Sequence, residues 1–281
     1  MVKEERVEEM APTTKVLIQR EIASSVHGRW FLAYATVFLL SGVLMVTFGM
    51  GDAAIHGYRG FARAFAAMTH LALLFVPLMA LFPAVASLAE ERDRGGLEFL
   101  LAQPVTFGEV FFSKWVGVGG AVTLALTLGF GTAGSVALLR GVPFGLVATL
   151  YLFVLLLAWV FVSIGFLLSV TTSSRSRATT VGILVWLTLV ALGTLGLMIA
   201  FIRWGVPRPV LSVWTFANPI EAFRIGIVTL LDPDFSLLGP VGVMLLERLG
   251  TIGTALLAGS SLVLWILIPT FVAWKIFAKK L

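Results

Sequence analysis

Six charges stand within nine residues at Glu90, Glu91, Arg92, Asp93, Arg94 and Glu98, in a chain only 12% charged. Side chains of both signs packed so closely suit ion pairing and polar docking. They do not suit acid–base catalysis, which needs a titratable group set apart in an environment that shifts its pKa. A second polar group lies further along. Asn218-Pro219 opens a helix with Pro at its first position. Glu221 and Arg224 follow three residues apart, the spacing of an ion pair on one helix face.

Other chemistry is missing from the sequence. There is no His-Glu-x-x-His, no Gly-x-Ser-x-Gly, no phosphate-binding Gly-x-x-x-x-Gly-Lys-Ser/Thr, and no pair of carboxylates inside adjacent apolar stretches. The absence of Cys excludes disulfides, thiolate metal sites and a Cys nucleophile. His56 follows Asp52 by four residues and His70 follows Met68 by two, but lone histidines and scattered methionines read as packing rather than ligation. The chain is expected to hold no catalytic residue, no cofactor and no metal. Its basic side chains mostly flank apolar segments and are not interleaved with exposed aromatics, which argues against nucleic acid as a partner.

The elements that position the two polar groups follow from hydrophobicity. With 59% of its 281 residues hydrophobic, the chain reads as a polytopic membrane protein without room for a large soluble domain. Six stretches reach the ~20 apolar residues that a spanning helix needs: 30–50, 66–89, 116–139, 146–170, 178–202 and 250–273. A charge at mid-bilayer costs roughly 2.5–3.5 kcal/mol, so the charged stretch must lie in water. With six spans both termini share a side. Thirteen of the 20 Lys and Arg residues then fall with the termini and the charged stretch, which marks that side as cytoplasmic; seven fall opposite. The first apolar run is too long for a signal peptide, so the N-terminus is expected to be retained.

Residues 14–29 read as a helix lying on the membrane, with Ile18, Ile22 and Val26 recurring every fourth residue and a bend over Ser24 to Gly28. Pro77 and Pro83 can kink the second span. The glycines at 117, 119, 120, 129, 131 and 134 in the third span allow either tight packing within one subunit or a dimerising face. The outward segment 203–249 has in 225–231 an apolar run too short to cross a bilayer, which suits a re-entrant or interfacial helix. No ionisable residue sits deep within a span, so energy is expected from a partner rather than from a coupled ion.

The pattern Glu90-…-Arg94-Gly95-Gly96-Leu97-Glu98-…-Leu101-…-Pro104-Val105, followed by Lys114, resembles the permease subunits of the type-two ABC exporter superfamily. Gly96 stands where Thr or Ser is usual. The resemblance covers nearly the whole chain. It implies an all-α membrane protein forming one transmembrane permease domain over 1–281: six transmembrane helices, a cytoplasmic tail and interfacial helix (1–29), a cytoplasmic coupling helix (90–112) and an extracytoplasmic re-entrant loop (203–249). It also implies that Glu90, Glu91, Arg92, Arg94, Gly96, Leu97, Glu98, Leu101 and Pro104 dock on a dimer of cytoplasmic ABC ATPases, which bind the ATP. Leu97, Phe99, Leu100 and Leu101 supply an apolar anchor that a solvated connector would not carry. A narrower resemblance joins 218–224 and 237–242 to permeases serving copper-site assembly in nitrous oxide reductase. It implies a homodimer in the inner membrane with a periplasmic repeat protein on its outer face. Asn218, Pro219, Glu221, Phe223, Arg224, Gly239 and Pro240 would then form an extracytoplasmic gate or partner platform.

Overall fold

The computed structural model describes residues 16–44, 58–93, 95, 106–139, 141–231 and 239–280. Among these every regular element is helical. Helix α1 covers residues 16–26, α2 Arg29–Leu44, α3 Tyr58–Asp93, α4 Phe107–Leu139 and α5 Phe144–Thr171. Helix α6, Arg175–Ala191, continues through a π-helical stretch, Leu192–Gly196, into α7, Leu197–Ile202. Then come α8, Arg208–Ala217, α9, Pro219–Leu231, and α10, Gly239–Lys280.

Four segments are long and apolar enough to cross a membrane: Thr69–Asp93, Phe107–Leu139, Phe144–Thr171 and Val241–Lys279. Trp30–Leu40 is a shorter apolar helix. Four of the six expected spans therefore stand as long helices. The span expected at 30–50 is described only as α2, and its remainder lies outside the described residues. The one expected at 178–202 is no single α-helix, because the π-helical stretch interrupts it. Pro77 and Pro83 are both carried inside α3. The turn at His27 and Gly28 separates α1 from α2, where the sequence places a bend.

Helix α5 is the centre of the bundle. It is apolar on every side, the pattern of a helix buried by its neighbours, and it packs against α3, α4, α6, α9 and α10. Its Leu157, Val160, Phe161, Val162 and Phe166 are fully enclosed. Small residues set the helix spacings. The glycines of α4 meet neighbours within this chain: Gly129 abuts Phe38 of α2, and Gly119 abuts Trp159 of α5. Gly117, Gly119, Gly120, Gly129 and Gly134 thus serve packing within one subunit. Gly165 does the same between α5 and α3.

A second, smaller core lies apart from the main one. Ala200 of α7, Leu211 of α8, Ile225 of α9 and Val241, Met244 and Leu245 of α10 pack together. Gly250, with φ 69° and ψ 178°, breaks α10 and separates this first arm from its long apolar remainder. The sequence places the start of the last span at that residue.

A Cβ on Gly165 would lie 2.6 Å from Ala84 Cβ and 3.0 Å from the Leu81 carbonyl oxygen. Gly165→Val is expected to push α3 from α5 and destabilise the chain by about 1–3 kcal/mol. A thermal melt of the full chain in mild detergent checks this; a midpoint unchanged from the parent would contradict the close packing.

Candidate functional site

Helix α3 ends in the charged stretch, and its last four residues reach α4, α5 and α6. Glu91 Oε1 accepts from Lys114 Nζ of α4 at 2.6 Å. The same ammonium donates to Glu21 Oε1 of α1 at 2.8 Å. Lys114 is only 3% exposed, so it is a buried cation shared by two carboxylates from other helices. Arg92 donates through Nη2 to the carbonyls of Ser169 and Thr172, at 3.1 and 2.5 Å. Those carbonyls lie at the C-terminus of α5, where a cation complements the helix dipole. Asp93 Oδ2 accepts from the backbone N–H of Arg175 at 3.0 Å, which satisfies a free donor at the start of α6. Glu90 Oε2 pairs with Arg175 Nη1 at 3.0 Å.

Below this tier the buried Ser169 hydroxyl stands between α5 and α3. It donates to the Val85 carbonyl at 2.8 Å and accepts from the Ala89 N–H at 2.9 Å. These are the acceptor and donor of one helical turn, so α3 and α5 are joined through backbone groups. The expected docking residues Glu90, Glu91 and Arg92 thus direct their charge into their own chain and tie together the ends of α1, α3, α4, α5 and α6.

The segment beyond is bounded on both sides. Gly95, at φ 70°, donates its N–H to the Arg92 carbonyl and stops α3. Helix α4 begins with a capping box: Thr106 N–H to Glu109 Oε2 at 2.7 Å, and Glu109 N–H to Thr106 Oγ1 at 3.3 Å. The Thr-x-x-Glu signature was available in the sequence for this start. Arg94, Gly96, Leu97, Glu98, Leu101 and Pro104 lie outside the described residues. So do Asp52 and His56.

The second polar group sits at the other end of α6. Asn218 caps α9, its Oδ1 accepting from the Ile220 N–H at 3.0 Å. Its Nδ2 donates to the Leu189 carbonyl at 2.6 Å, just before the π-helical stretch. Glu221 is fully buried. It takes the expected i, i+3 partner, with Arg224 Nε donating to its Oε2 at 2.9 Å. A Cβ on Gly193 would lie 2.9 Å from Glu221 Oε1 and 3.0 Å from Asn218 Nδ2, so the π-helical stretch of α6 rests directly on the two polar side chains. Pro219 and Phe223 are buried as well. Asn218, Pro219, Glu221 and Phe223 therefore face the chain's interior, and an external partner cannot touch them as they lie here. Gly239 and Pro240 begin α10. The sequence reading overlooked α8, whose exposed Val210, Val213 and Trp214 form an apolar row with Trp204 before it.

The family described as ABC-2 family transporter protein matches residues 16–280. Two curated proteins, each named "Probable ABC transporter permease protein NosY", are similar to the chain. One, from Pseudomonas aeruginosa, is 30% identical over 223 residues, covering 76% of this chain and 81% of the relative. The other, from Stutzerimonas stutzeri, is 27% identical over 275 residues, covering 94% of this chain and 98% of the relative.

Removing the buried cation leaves Glu21 and Glu91 facing each other without it. Lys114→Met is expected to cost about 3–5 kcal/mol, the range for breaking a buried pair from one side. Arg175 is 53% exposed, and Arg175→Met should cost no more than about 1 kcal/mol. Thermal midpoints of the two full-length variants test the ranking; equal shifts would show that Lys114 is no more than a surface ion pair.

Proposed function

The chain belongs to the ABC-2 transporter family, and from that premise we propose that it is the membrane permease of a transporter powered by a separate cytoplasmic ABC ATPase dimer. ATP binds and is hydrolysed in that partner. The chain works as a homodimer in the inner membrane, with six crossings per copy and both termini in the cytoplasm. Helix α1 lies at the membrane surface, and the coupling segment 90–112 docks on the ATPase.

One observation supports this reading above the others. The coupling segment contains a helix stop at Gly95 and a capping box at Thr106, and its first residues are joined to the bundle by the ion pairs of Glu90 and Glu91. Both boundaries lie on helices of the bundle, so the segment's ends are joined directly to α3 and α4. The apolar anchor Leu97, Phe99, Leu100 and Leu101 supplies the contact, while Glu90, Glu91 and Arg92 carry the load into α4, α5 and α6.

At the outer end Asn218, Pro219, Glu221, Phe223, Arg224, Gly239 and Pro240 form a gate. The likeness to the two proteins named NosY, together with the motifs at 218–224 and 237–242, supports a role in copper-site maturation of nitrous oxide reductase with a periplasmic repeat protein on the outer face. The alternative cargo is a lipid, drug or ion moved by a general exporter.

Leu97→Asp places a charge in the apolar anchor and is expected to abolish co-purification with the ATPase from mild detergent, while the thermal midpoint of the isolated chain stays unchanged. Retention of the ATPase by this variant would sink the docking assignment and leave a passive anchor.

A further inference from the structure

A cleft of about 400 Å³ opens at the charged end of the bundle, between α1, α2, α3, α4 and α6. That is within the size range of small-ligand sites. Its charged tier holds Glu21, Glu90 and Glu91 against Lys114 and Arg175, so carboxylates outnumber cations by one. Lys114 is already shared between Glu21 and one oxygen of Glu91. The second oxygen, Glu91 Oε2, is buried and has no hydrogen-bond partner among the described residues, so it meets a ligand in the cleft only if the carboxylate turns. A carboxylate turns readily about its terminal torsion, so Glu91 has capacity for one further donor from the cleft.

The lower tier is different. Phe82 and Pro83 of α3, Tyr34 of α2 and Val118 of α4 line it. From Phe82 to Glu91 the cleft follows α3 for about 13 Å of helix rise, passing from the apolar part of a membrane-crossing segment to its charged end. A molecule filling it must be charged at one end and apolar at the other. Arg175, with one Nη1 bonded to Glu90, keeps further guanidinium donors for an anion.

We propose that this cleft is a binding site for an aminophospholipid of the adjacent leaflet, its primary ammonium held by Glu91 and Glu21, its phosphate by Arg175, and the start of its acyl chains along Phe82 and Val118. The lipid is a resident ligand that completes the charge tier around Lys114, and the site does not depend on which cargo the transporter moves. The requirement for an N–H donor makes the site selective: a trimethylammonium headgroup carries the same charge but has no proton to give Glu91.

The test is native mass spectrometry of the full-length chain released from detergent. It is loaded in parallel with phosphatidylethanolamine, phosphatidylcholine and phosphatidylglycerol of identical acyl chains. Phosphatidylethanolamine should be retained about tenfold more strongly than phosphatidylcholine, the factor expected for one hydrogen bond to a charged group. Glu91→Gln should erase that preference. Should Glu91→Gln fail to fold, Ala86→Leu fills the cleft without touching the ion pairs and should lower retention of phosphatidylethanolamine to that of the other lipids. Equal retention of phosphatidylethanolamine and phosphatidylcholine by the parent chain would overturn the proposal, as would full retention by Ala86→Leu. Displacement of the lipid by spermidine at equal concentration would assign the cleft to a free polyamine and overturn the lipid assignment.

Discussion

The buried ammonium of Lys114 is the constraint around which the charged end is built. A cation removed from water costs several kcal/mol, and the cost is recovered only if counter-charges and hydrogen bonds close round it. Glu21 and Glu91 do this from helices 93 and 23 residues away in sequence. Both carboxylates must be delivered to one point, which fixes where α1 lies and where α3 ends. The neighbouring contacts follow the same logic. Once Glu91 is held, Arg92 reaches the end of α5, and Glu90 and Asp93 reach the start of α6. The Glu90–Arg175 pair is partly exposed and adds little energy alone; it serves to set direction.

Helix α6 connects this tier to the second polar group. Its first turn is pinned by Asp93 and Glu90. Its far end widens into the π-helical stretch, and there Gly193 rests on Glu221 and Asn218. A π-helical stretch is often found at functional sites. Here its effect is concrete: Asn218 both caps α9 and accepts the role of donor to the Leu189 carbonyl at the point where α6 changes winding. A change of tilt in α6 therefore cannot leave α9 where it is, since Gly193 has no side chain to yield and Glu221 is fully enclosed.

Some of this was legible in the sequence. The Glu221–Arg224 pair announces itself because its two members lie within one turn, where residue spacing specifies geometry, and the charged stretch does so because six charges in nine residues cannot enter an apolar span. Gly250 and the turn at Gly28 are readable because a glycine breaks an apolar pattern. What could not be read is what depends on tertiary arrangement. Lys114 looks like an ordinary cation flanking a span; its burial needs Glu21, and nothing local links residues 21 and 114. The docking role of Glu90, Glu91 and Arg92 is what the resemblance implies; their partners inside the chain, 23 to 85 residues away, could not be read from the sequence. The π-helical stretch left no mark either, because Leu192–Gly196 is as apolar as a regular turn would be.

Spatial intermediacy alone does not make a pathway; a coupling element needs two arrangements whose balance both ends can bias. The elements here differ in their capacity for that. Helix α5 is enclosed along most of its length and forms the axis of the bundle. Helix α6 is different: several of its outward residues, Ile183, Leu184 and Leu187 among them, are exposed, its lower end is held by ion pairs that can re-form at a new angle, and its upper end contains a winding change that can be drawn out or taken up. Helix α10 is likewise divided, at Gly250, so that its first arm can move with α7, α8 and α9 as the small second core while its long remainder stays against α5. The chain is thus a central axis flanked by two jointed helices, with the joints placed at the end opposite the charges. Both joints border α9, whose Gly226 abuts Phe153 of α5 and Ala258 of α10 beyond Gly250, so any change at either joint must be accommodated against that packing.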